Sequence, residues 1–79
     1  MPTVFILFGY IFKFYSNDHE PLHIHVLKGG HKAVFSLFPV KLVENRGFKP
    51  AEIKLAMSIV RKNKDYIAEH WNRFFNKTR

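Results

Sequence analysis

Apolar positions along this chain change their spacing once, from an alternation of two to a repeat near 3.6, and the change divides the sequence into two parts. Val4 to Phe8 is a continuous apolar run closed by Gly9. Tyr10 to Tyr15 then alternates, with Tyr10, Phe12 and Phe14 on one face and Ile11, Lys13 and Tyr15 on the other. Two such runs around a glycine predict an antiparallel hairpin. Ser16, Asn17 and Asp18 carry turn chemistry, and Pro21 keeps Glu20 out of helical geometry. From His23 the alternation resumes: His23 and His25 share one face, Ile24 and Val26 the other. Gly29-Gly30 supplies a tight turn, and His31 to Phe38 forms the next strand, with Ala33, Phe35 and Leu37 on one face. Pro39 ends that strand and Val40 to Val43 adds a short edge strand. Asn45-Arg46-Gly47 predicts a turn with positive φ at the glycine.

Pro50 stands where a helix can begin without losing a hydrogen bond, and Glu52 falls in the first turn, near the positive end of the dipole. From Ala51 to Asn76 there is neither Gly nor Pro. Ile53, Ala56, Met57, Val60, Ile67, Trp71, Phe74 and Phe75 fall on one stripe, interrupted only by Lys64, whose stem can snorkel. The pattern predicts one long amphipathic helix over 51–76, with a break near Asn63 into two helices as the alternative. The fold expectation is therefore a single α+β domain over residues 1–79. A small antiparallel sheet of four or five strands, within residues 3–44, packs on the C-terminal helix. Trp71 and Phe74 are expected against the strands carrying Phe12, Phe14 and Phe35. Leu55, Ile59 and Tyr66 form a second, narrower apolar stripe flanked by Lys62 and Arg73, read as a contact surface for a second copy or a partner.

Composition changes this picture in three ways. A 79-residue chain that is 47% hydrophobic, with nine Phe, holds more apolar side chains than one small core hides easily, which points to an oligomer or a partner complex. The absence of cysteine removes disulfides and thiolate chemistry. Thirteen Lys and Arg against six Asp and Glu, a net charge of +7, make a positive field that draws polyanions or an acidic protein. The apolar opening, MPTVFILFGYIFKFY, lacks a basic leader segment and a cleavage site, and Lys13 interrupts it well short of a membrane span. It reads as core strands, and the expected location is cytoplasmic with no membrane partner.

Candidate chemistry concentrates in one segment. His19-Glu20-Pro21-Leu22-His23 matches the metalloprotease string H-E-x-x-H, but that motif needs a helix to bring its histidines onto one face, and Pro21 lies inside it. His23 and His25, two apart on a strand, do share a face; His19 lies on the preceding loop, and His31 lies across the Gly29-Gly30 turn. Such a cluster suits acid–base work or phosphate binding near neutral pH, simple packing against aromatics, or, least well supported by ligand number, a metal. No cofactor and no structural metal is expected. Lys28, Lys32 and Arg46 lie within reach of this face in sequence terms, and Tyr15 offers a ring, a combination suited to single-stranded RNA or phosphate.

Several stretches together resemble the short bacterial proteins grouped as domain-of-unknown-function family 4160: Met-Pro-Thr-Val at the start, Tyr15-Ser16-Asn17-Asp18-His19-Glu20-Pro21, His23-Ile24-His25-Val26, Pro39-Val40 with Leu42, Asn45-Arg46-Gly47-Phe48, and Trp71-Asn72 with Phe74-Phe75. The resemblance covers essentially the whole chain; Leu22 departs from it, standing where the family commonly has a second proline. It implies a stand-alone bacterial domain, often encoded beside another small protein in an arrangement like a toxin–antitoxin pair, and it brings no established catalytic residues with it. The leading expectation is a nucleic-acid-directed, RNA-first component of such a pair. His23, His25 and His19 would be acid–base or phosphate groups, and Lys28, Lys32 and Arg46 would hold the backbone. The rival is a non-enzymatic module forming a homo-oligomer or an operon complex, with structural histidines.

Overall fold

The computed structural model describes residues 3–15 and 21–76. Five strands, β1 (Thr3–Leu7), β2 (Tyr10–Lys13), β3 (His23–Lys28), β4 (His31–Leu37) and β5 (Val40–Arg46), form one antiparallel sheet in the order β1-β2-β3-β4-β5. Two helices follow, α1 (Pro50–Lys62) and α2 (Lys64–Asn76). The α+β architecture is the one the alternation predicts, and the β1–β2 and β3–β4 turns carry residues able to reverse the chain. Phe8 and Gly9 both have positive φ, 53° and 80°, and so do Gly29 and Gly30, 56° and 82°. Positive φ at both central residues matches the twist of paired strands.

Alternation sets two unlike faces on the sheet. Phe12, Phe14, Ile24, Val26, Ala33, Phe35 and Leu37 are buried on the helix side, together with Ala56, Val60, Ile67 and Trp71 from the helices. Tyr10 joins them and donates its hydroxyl to the Glu52 carbonyl at 3.2 Å, tying β2 to α1. Burial, and then the negative charge of Glu52, pushes the Tyr10 hydroxyl above its ordinary pKa of 10.0. Trp71 meets Phe14 edge-on at 5.1 Å, as expected. Phe74 is only half-buried and lies against Phe75.

Three expectations are corrected. The single long helix is two, parted at Asn63, whose ψ of 14° leaves helical geometry. Its Nδ2 donates to the Ile59 carbonyl at 2.8 Å while its backbone N–H is shared between the Ile59 and Val60 carbonyls. A short amide side chain that competes for backbone partners ends the helix there. Lys64 opens α2 and places its ammonium over the Phe38 ring. The strands also run past residue 44: β5 continues to Arg46, and the turn is pushed onto Gly47, with φ 102°. Asn45 still builds that turn, accepting from the Phe48 N–H and donating to the Phe48 carbonyl. Lastly, Ile59 belongs to the core, 5% exposed, beside Val60. Leu55 (41%) and Tyr66 (47%) are exposed, so the expected second stripe of Leu55, Ile59 and Tyr66 is not exposed as a whole: its middle residue lies in the core.

Candidate nucleic-acid interface

The sheet face away from the helices carries the candidate chemistry. Lys13 pairs with His25, His25 with Val34, His23 with Ser36, and Lys32 with Arg46, so these side chains share one face. Beyond β2, Tyr15 joins them: its ring meets His25 edge-on at 4.4 Å. The Lys13 and Lys32 ammoniums stand 5.1 and 5.9 Å from the centre of that ring. Lys41, opposite Ser36, adds a further cation, and Glu44, opposite Val34, an anion. Glu44 Oε2 accepts from Arg46 Nε at 2.5 Å.

The two strand histidines differ in environment. His25 is 8% exposed, its Nδ1 shut off from solvent, with its ring held between Tyr15 and His23. His23 is half-buried, and its Nδ1 lies 2.7 Å from the Pro21 carbonyl. A carbonyl can only accept, so Nδ1 carries a proton in either charge state. The His23 ring also lies 5.5 Å from Trp71, which links this end of the face to α2. The pair is packed among rings rather than displayed as two exposed proton carriers. His19 lies outside the described residues.

Two other sequence candidates are placed elsewhere. Lys28 and His31 face each other across the β3–β4 hairpin, on the helix side. The Lys28 ammonium lies 4.7 Å from the Tyr10 ring centre, and His31 packs on Phe48. Of the three basic residues expected to act together, Lys32 and Arg46 do share a face and Lys28 does not; His31 is away from the other histidines. The reason is register: Lys28 is in phase with Ile24 and Val26, and His31 with Ala33 and Phe35. Lys13 is the basic residue that sequence reasoning missed, although the alternation that puts it on the Tyr15 face is a sufficient signal.

Between β3, β4 and β5 the face sinks into a depression of about 350 Å³. Leu22, Val34 and Val43 give it apolar walls, and His23, Ser36 and Glu44 line it with polar groups. Val43 reaches it because the pairing of β5 slips between Leu42 and Glu44, adding one residue there. Among the described residues no three His, Asp or Glu side chains gather closely enough to hold a metal, and no helix is long and apolar enough to cross a membrane.

The model of one family, the domain of unknown function DUF4160, matches residues 9–72. The chain belongs to the DUF4160 family. The DUF4160 match runs from just before β2 through most of α2, so it includes every residue of the open face just described and leaves out β1. No curated protein and no solved structure matches the chain.

Proposed function

We propose that this DUF4160 domain binds single-stranded nucleic acid, RNA first, on its open sheet face, as one member of a toxin–antitoxin-like pair. The observation that carries the binding is the convergence of Lys13 and Lys32 on the Tyr15 ring, with Arg46 directly across from Lys32. Cations spaced about an aromatic on a flat sheet suit a strand whose phosphates and bases lie side by side. The net charge of +7 supplies long-range attraction. His23 contributes ring surface to this face, and the two histidines do not act as an acid–base pair, since His25 is enclosed. The pairing with a neighbour's product rests on the family resemblance.

Fluorescence anisotropy of a labelled single-stranded RNA, titrated across a range of KCl, tests the binding. The expected result is an affinity that falls steeply with salt and exceeds that for duplex RNA. Co-purification with the product of the adjacent gene, and growth assays of each alone and together, test the pairing.

A second reading, the protein-interaction module, is favoured by a different surface. Leu42, Phe48, Ile53 and Met57 line an apolar trough of about 460 Å³ between α1 and β5, an edge strand, with Lys54 also lining it. A partner segment bound there leaves the open face accessible, so the two readings are compatible. Loss of the partner complex on changing Met57 to Glu, with RNA binding kept, separates them.

A further inference from the structure

The depression between β3, β4 and β5 has a chemical bias. Its apolar walls, Leu22, Val34 and Val43, and the ring of His23 suit a flat, weakly polar ligand. His25 also lines it, and the two remaining polar groups, Ser36 and Glu44, offer acceptors. Ser36 spends its hydroxyl proton on the Pro39 carbonyl at 2.8 Å and keeps oxygen lone pairs. Glu44 is a carboxylate, and Arg46 holds one of its oxygens in place. Among the described residues Glu44 is the only acid on the open face; Glu52, Asp65 and Glu69 are on the helices. An anion among Lys13, Lys32, Lys41 and Arg46 opposes phosphate binding. A ligand that brings an N–H donor into the depression gives it a second partner beside Arg46.

We propose that this depression is a base pocket, taking one unstacked base that carries an exocyclic amine, with Glu44 as the acceptor of that amine. The proposal deepens the single-strand reading above and rests on it. Lys32, Lys41 and Arg46 stand around the pocket on the same face and take the flanking phosphates. In the pyrimidine series the selected base is cytosine, whose C4 amine donates where uracil's C4 carbonyl only accepts. Uracil in the same place sets its oxygen against the carboxylate.

The test compares two labelled single strands, oligo-rC and oligo-rU of equal length, at one salt concentration, on the wild type and on Glu44→Ala. Glu44 is exposed enough for the variant to keep its fold, which circular dichroism checks. The wild type is expected to bind oligo-rC about tenfold more tightly than oligo-rU. Glu44→Ala is expected to bring the ratio close to one, with oligo-rU binding unchanged or stronger because a negative charge is gone. Equal wild-type binding of the two strands, with normal salt dependence, overturns the base pocket and leaves the single-strand reading standing. A variant that weakens both strands alike also overturns it, since Glu44 then acts only by orienting Arg46. Failure of both strands to bind at any salt overturns this proposal and the reading beneath it.

Discussion

Lys32 stands directly across from Arg46 in the β4–β5 pairing, on the sheet face that holds Tyr15 and the two strand histidines. Like charges opposite each other on a sheet repel, and nothing in the core requires either residue. Glu44 relieves part of the repulsion through Arg46. The arrangement gains from a polyanion that neutralises both. Changing Lys32 and Arg46 together to Ala is expected to weaken RNA binding and to flatten its salt dependence. The log–log slope should fall by about 0.7 for each phosphate that is no longer neutralised. Lys28→Ala, on the helix side, is expected to leave the slope almost unchanged. Equal effects of the two variants would show that binding does not use the open face.

The helices give a test of a different kind. Ile59 packs in the core while Leu55, one turn earlier, is exposed. Ile59→Ala is expected to cost about 2–5 kcal/mol of stability, the range for emptying a buried aliphatic site. Leu55→Ala is expected to cost about 0.5 kcal/mol or less. Urea unfolding followed by circular dichroism checks both. Comparable losses at the two positions would mean that Leu55 is covered in solution, as an oligomer would cover it.

How much of this was legible follows from which interactions are local. The sheet side of the core could be read from period-two alternation, because side-chain direction on a strand is fixed by the pleat. The same rule puts Lys13 with Tyr15 and could have separated Lys28 from Lys32. Nearness in sequence to the histidines hid what the phase already specified. The break at Asn63 was visible only as an alternative, since a polar residue in a helix can either face solvent or turn back onto the backbone carbonyls. Burial of Ile59 was not legible, for the width of the buried arc on α1 depends on how the sheet and α2 close over it. The depression was hidden for a similar reason: it needs the extra residue at Val43, and a slipped pairing has no mark in the alternation of β5 itself.

Gly47 combines a φ of 102° with a close neighbour, the His31 ring, which a methyl group at this position would strike. Gly47→Ala is expected to destabilise the domain by about 1–3 kcal/mol, from strain in a sparsely populated backbone region plus the clash. Adding His31→Ala should recover the clash portion and leave the backbone portion. Thermal or urea unfolding of the single and double variants measures the two parts. A Gly47→Ala protein as stable as the wild type would contradict this backbone geometry.

Tyr10 sets an alkaline limit on stability. Its folded pKa is raised above 10.0, by burial first and Glu52 second, so folding favours the neutral hydroxyl. That contribution is fully present below pH 10 and is lost as pH rises from there through the folded value, because the unfolded chain ionises sooner. The stability of the wild type should therefore fall more steeply above pH 10 than that of Tyr10→Phe. Urea midpoints measured between neutral pH and strongly alkaline pH give the comparison, and parallel curves would contradict it.

On the proposed reading, nucleic acid lies on the open sheet face. Titrating isotopically labelled protein with a short single-stranded RNA, and following amide shifts by two-dimensional NMR, tests it residue by residue. The expected perturbations fall on Lys13, Tyr15, His23, Lys32, Val43, Glu44 and Arg46 and grow to saturation at low salt, with Leu55, Tyr66 and Arg73 unmoved. Shifts confined to α1 and α2, or no saturable shifts at low salt, would contradict the account.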